Sequence, residues 1–133
     1  MKFDSHKIHD PKLFKENCML AHSDHVGYKN AEEVATGKSS YRFSLDGIWK
    51  FHYAKNDTQT VADFESPEYE CRPWDEIRVP AHIQMEGYDV PQYLNIQYPW
   101  DGREDIWRDS VPTEFNPVAS YVKYFTLPDD FVK

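Results

Sequence analysis

Residues 41–56, YRFSLDGIWKFHYAKN, decide the architecture. Trp49, Phe51 and Tyr53 alternate with Lys50, His52 and Ala54, the two-residue period of a strand that buries one face. Asp46-Gly47 just ahead of them is a turn signal. Three aromatics on one face of a strand read as core rather than as cofactor contacts. Two other runs share this character. Residues 74–80, WDEIRVP, place Ile77 and Val79 about Arg78 and stop at Pro80, since proline cannot donate to a ladder. Residues 119–127, ASYVKYFTL, give the clearest pattern: Tyr121, Lys123, Phe125 and Leu127 alternate with Val122, Tyr124 and Thr126. Apolar residues on both faces predict a strand inside a sandwich or against another surface.

Composition agrees with an all-β chain. Nine prolines against five glycines, with no sustained helical period, favour short strands and loops. A hydrophobic fraction of 40 %, with aromatics at 16 %, supplies a packed core and excludes disorder for the middle and end. The net charge of −8, without a Lys/Arg cluster, excludes nucleic acid as a partner. No apolar run approaches the roughly 20 residues of a membrane-spanning helix, so a membrane partner is not expected. The first residues, MKFDSHKIHDPKLFKEN, carry no apolar signal-peptide region. Cys18 and Cys71 alone are too few for a disulfide framework; free thiols and a cytoplasmic location are expected.

Outward from the strands, residues 1–40 read as an irregular N-terminal arm and residues 41–133 as a partial β-sandwich domain. In the arm, Asp10-Pro11 predicts a helix start of one or two turns that docks Leu13 and Phe14, and residues 31–35 suit one helical turn. Residues 57–71 read as an acidic, polar loop that could hold one helical turn, with Val61, Phe64 and Tyr69 as isolated anchors. Residues 101–117 are a long, charged, proline-bearing loop. Three or four strands are few for a sandwich, and the sequence stops just after its strongest one. It reads as a truncated domain with open edges.

Residues 79–100, VPAHIQMEGYDVPQYLNIQYPW, are neither helix nor clean strand. Pro80, Pro91 and Pro99 kink the backbone into an extended, turn-rich ribbon of the kind that lines a site on a rigid scaffold. Tyr88, Tyr93, Tyr98, Trp100 and Trp107 cannot all be core in so short a region. Aromatic faces interspersed with Asn and Gln amides suit sugars, and they suit a protein interface equally. Other chemistry is weak. His6/His9 and His22/His25 have paired spacing without the pattern of a closed zinc site and read as a solvated arm. There is no Gly-x-Ser-x-Gly and no phosphate loop. Glu86, Asp89, Asp101, Glu104 and Asp105 read as turn caps and a solvated charge run. No catalytic residue and no metal ligand is assigned.

The order of blocks carries a resemblance. Ser44-Leu45-Asp46-Gly47-Ile48-Trp49-Lys50-Phe51, Trp74, Val79-Pro80, Gln84 to Pro91, Tyr93-Leu94-Asn95-Ile96-Gln97-Tyr98-Pro99, Val111 to Pro117 and Ser120-Tyr121 resemble the N-terminal domain of large LacZ-type β-galactosidases, in the second family of glycoside hydrolases. The resemblance implies a jelly-roll β-sandwich that is incomplete here. It also implies a retaining enzyme whose two glutamates lie on a (β/α)8 barrel further along, outside these residues, together with the family's magnesium and sodium ligands. It carries over one site element. Asn95 would hydrogen-bond a galactoside sugar, Ile96 would shape the pocket, and Tyr93 would stand beside them. The partners implied are the remainder of a β-galactosidase chain or other subunits, in a homo-oligomer. Two departures stand out: Ala81-His82-Ile83-Gln84 lacks a tryptophan usual in the family, and residues 101–110 form a longer insert. A stand-alone carbohydrate-binding module and a structural interaction fragment are the alternatives.

Overall fold

The computed structural model describes residues 7, 10–93, 95–107, 110–129 and 131; His6 and His9 lie outside them. Its regular elements are one helix, α1 (Ala31–Thr36), and three strands, β1 (Gly47–Ala54), β2 (Asp75–Val79) and β3 (Val118–Val122). Single 3-10 turns occupy Asp57–Gln59 and Ile83–Glu86. The strands make one antiparallel sheet in the order β2-β1-β3. The architecture is the all-β one expected.

Strand β1 is the spine. Its first half pairs with β2 and its second half with β3, and the ladders overlap at Lys50 and Phe51. Alternation decides the two faces. Trp49, Phe51 and Tyr53 share one, where Phe51 opposes Tyr121 and Trp49 opposes Ile77. Phe51 is fully buried, with ring centroids 4.5 Å from Tyr88 and 4.9 Å from Tyr121. The loop residue Tyr88 therefore covers this face from outside the sheet. On the other face His52 lies 5.3 Å from Trp74, which also gathers Phe64 at 5.7 Å and Tyr69 at 5.6 Å. Phe64 and Tyr69 are thus not isolated anchors; both converge on Trp74. On that face too, Lys50 Nζ pairs with the Glu76 carboxylate across the strands at 3.0 Å and donates to the Arg72 carbonyl. The core is small: Phe51, Ala54, Cys71, Trp74 and Ile77, with Ser120 beside them.

Two further expectations need correction. The run at residues 119–127 forms strand only as Val118–Val122. Its later residues face solvent rather than a sandwich interior, with Tyr124 62 % and Phe125 51 % exposed. A ladder needs a partner as well as a pattern. Where it would continue, the Lys123 ammonium donates to the Ile48 carbonyl (2.8 Å), and Tyr124 turns its hydroxyl onto the Tyr69 carbonyl (3.3 Å). The second correction concerns Asp10-Pro11, which makes a turn and no helix. Asp10 accepts the Lys12 N–H on its side chain (2.9 Å) and the Leu13 N–H on its carbonyl (3.0 Å), and the chain then leaves. Phe14 is 81 % exposed, so no packing compensates the cost of helix nucleation.

The turn at residues 31–35 does form. Asn30 Oδ1 accepts the Glu33 N–H at 3.0 Å, and Gly37 closes the helix in the left-handed region. Both cysteines are free, Cys18 exposed and Cys71 buried. Among the described residues no helix is long and apolar enough to cross a membrane.

Candidate functional site

Strand β2 ends at Val79, joined to Pro80 by a cis peptide bond. The chain winds through one 3-10 turn and reverses at Gly87, whose φ of +94° belongs to the region glycine tolerates best. The Tyr88 ring then enters the sheet face while its N–H donates to the Ile83 carbonyl (3.0 Å). Of the five aromatics that could not all be core, Tyr88 is half-buried and packs its ring on Phe51 in the sheet. Burial raises its phenol pKa, and a hydrogen bond with the Asp75 carboxylate adds to the rise. Glu86, read as a turn cap, instead pairs with Arg78 at 3.6 Å.

Beyond this anchor the ribbon stands out from the sheet. The Tyr93 carbonyl accepts the N–H groups of Ile96 (3.0 Å) and Gln97 (3.3 Å), closing a tight turn. Asp101 fastens the next bend, accepting the Tyr98 N–H on its carboxylate at 3.0 Å. Between the two bends lies an open groove of about 210 Å³, walled by Pro91, Tyr93, Ile96, Tyr98, Pro99 and Arg103 among others. Of the three sequence-assigned contacts, Tyr93 and Ile96 line this groove. Asn95 is exposed on the turn between them and outside the lining; Leu94 is outside the described residues. Tyr93 and Ile96 are 68 % and 78 % exposed, so their apolar surfaces are open to a ligand.

Glu104 is the residue that the sequence reading missed. A carboxylate in a run of charges reads as solvated, yet this one clasps the loop of residues 101–117. One carboxylate oxygen accepts the Thr113 N–H at 2.7 Å and the Thr113 hydroxyl at 3.2 Å; the other accepts the N–H groups of Glu114 (2.9 Å) and Phe115 (3.1 Å). These bonds favour the ionised form and hold its pKa below the ordinary glutamate value, the Thr113 N–H contributing most. The clasped segment is tied to the end of β1, because Asn116 N–H donates to the Lys55 carbonyl (2.9 Å) and Asn56 Nδ2 to the Glu114 carbonyl (3.1 Å). No local pattern announces such a clasp, since its partners lie nine to eleven residues away.

A pH titration checks the clasp. A carboxylate with a depressed folded pKa contributes stability above its unfolded pKa and loses it as pH falls through the folded one. The amide resonances of Thr113, Glu114 and Phe115 are therefore expected to shift together, with a midpoint below the ordinary glutamate range. In Glu104→Gln that shared step should vanish. A midpoint at or above the ordinary range would remove the clasp.

Among the described residues no group of three His, Cys, Asp or Glu side chains converges to hold a metal ion. His22 instead places Nδ1 2.8 Å from the Leu20 carbonyl.

A family model described as "Glycosyl hydrolases family 2, sugar binding domain" matches residues 43–133. The β-galactosidase of Streptococcus thermophilus is 46 % identical over 122 residues, spanning 92 % of this chain and 12 % of its own length. That of Halalkalibacterium halodurans is 45 % identical over 124 residues, with the same two shares. The "Beta-galactosidase large subunit" of Leuconostoc lactis is 38 % identical over 138 residues, spanning 93 % of this chain and 22 % of its own. The chain thus spans a small part of the relatives that it matches.

Proposed function

Since the chain belongs to family 2 of the glycosyl hydrolases through its sugar binding domain, we propose that it is the N-terminal part of a β-galactosidase and supplies a substrate-binding loop but no catalytic glutamate. The observation that carries this reading is the groove of residues 90–103, raised from the sheet on the Tyr88 anchor and walled by exposed aromatic and apolar side chains. Sugar C–H faces stack on such walls while hydroxyls take polar groups at the rim. Tyr93 and Ile96 form the wall, and Asn95 on the adjoining turn offers the amide. Three of the five carboxylates around the groove serve structure: Glu104 clasps backbone, Glu86 pairs with Arg78 and Asp101 caps a turn.

Hydrolysis of terminal β-galactosides would be carried out by the rest of a β-galactosidase chain, working in the cytoplasm. The magnesium and sodium implied by the family find no donor cluster among the described residues, so no step is routed through either. The free edges of β2 and β3, with the exposed Tyr124 and Phe125, suit coverage by that larger chain or by neighbouring subunits of a homo-oligomer.

The test compares the chain alone with a fusion in which it replaces the matching segment of the Streptococcus thermophilus β-galactosidase. The fusion should hydrolyse a nitrophenyl galactoside and the 133-residue chain should not. Hydrolysis by the purified chain above a matched blank, or a folded but inactive fusion, would reject the proposal.

A further inference from the structure

We infer that Arg103 is the polar contact of the groove for the hydroxyls of a bound galactoside, and that Glu104 is the positioning residue that holds it there. The inference rests on the β-galactoside reading above. Among the described residues Arg103 is the one cationic side chain in the groove wall. Its guanidinium carbon lies 3.8 Å from the centroid of the Phe115 ring, a close cation–π contact. Among the described residues no hydrogen bond or ion pair takes up its side-chain N–H groups. A planar fork fixed by an aromatic ring is pre-organised, so little entropy is lost when two of its donors meet neighbouring hydroxyls.

Both neighbours of this arrangement are held from behind. Glu104 follows Arg103 directly and fastens the backbone of Thr113, Glu114 and Phe115. The same four hydrogen bonds thereby place the Phe115 ring under the guanidinium. On the other side Arg103 N–H donates to the Trp100 carbonyl at 2.9 Å, closing the bend that follows Tyr98 and Pro99. Arg103 also sits close enough to the sheet to oppose the effect of Asp89 on the Tyr53 phenol. The insert at residues 101–110, which has no role in the plain sugar-binding reading, becomes the device that brings a guanidinium to the groove.

The experiment uses the fusion described above, with Arg103→Ala, Arg103→Lys and Glu104→Gln, and measures KM and kcat for a nitrophenyl galactoside. Losing a hydrogen bond from a charged donor should raise KM about tenfold in Arg103→Ala while kcat stays within about twofold. Arg103→Lys keeps the charge without the fork and should recover only part of the loss; Glu104→Gln should move KM in the same direction. In the 133-residue chain Arg103→Ala removes one exposed cation–π contact and should lower the thermal midpoint by no more than a few degrees. An unchanged KM in active Arg103→Ala, a loss confined to kcat, or loss of the cooperative transition would overturn the inference while leaving the proposed function intact. A folded, unsubstituted fusion without hydrolysis would overturn both.

Discussion

Phe51→Ala is expected to abolish the cooperative thermal transition of the chain. Phe51 is 0 % exposed and lies where both ladders of the sheet overlap. Its ring is held between Tyr88 from the groove loop and Tyr121 from β3. Replacing a buried phenylalanine with alanine costs about 3–5 kcal/mol, through lost burial and the cavity left behind. Whole domains have only about 5–15 kcal/mol in hand, and a chain with so few buried apolar residues belongs at the low end. The loss also frees Tyr88, the anchor on which the groove stands. Phe51→Leu fills most of the volume and should keep a transition at a lower midpoint. Circular dichroism on heating separates the outcomes; a Phe51→Ala chain that melts like the parent would show that the core lies elsewhere.

The second large effect is expected at Trp74→Ala. Trp74 covers the opposite face of the sheet, in ring contact with His52, Phe64 and Tyr69, and its indole N–H donates to the Tyr69 hydroxyl at 3.3 Å. Truncation should cost about 3–5 kcal/mol and loosen residues 57–71, whose Phe64 and Tyr69 rings pack on Trp74. Trp74→Phe keeps an aromatic there and should lose much less, with about 0.5–1.5 kcal/mol assigned to the missing hydrogen bond. Urea unfolding followed by tyrosine and tryptophan fluorescence measures both. Equal midpoints for Trp74→Ala and the parent would mean that the 57–71 segment contributes nothing to stability.

These two residues also show what the sequence made legible. The two-residue alternation at 49, 51 and 53 identified β1 and its buried face because one-sided burial leaves that pattern directly in the chain. Pro80 marked the end of β2 for an equally local reason. At 119–127 the alternation overstates the strand, because it records only that both faces are apolar, not that the Ile48 carbonyl is taken by Lys123. The meeting of Phe64 and Tyr69 on Trp74 depends on a loop folding back, which no periodicity encodes. Glu104 is the sharpest case. A carboxylate within a run of charges looks solvated, and only the fold reveals three backbone N–H groups converging on it. At the groove, the resemblance points to Tyr93 and Ile96, which line it, whereas Arg103 carries no pattern that a sequence reading would single out.

A galactoside-bound crystal structure of the fusion is the decisive measurement. It should place the sugar ring against Tyr93 and Ile96, the Asn95 amide within hydrogen-bonding distance of a sugar hydroxyl, and catalytic glutamates supplied entirely by the larger partner sequence. A sugar bound in the active site with no contact to residues 93–103 would contradict the proposed function.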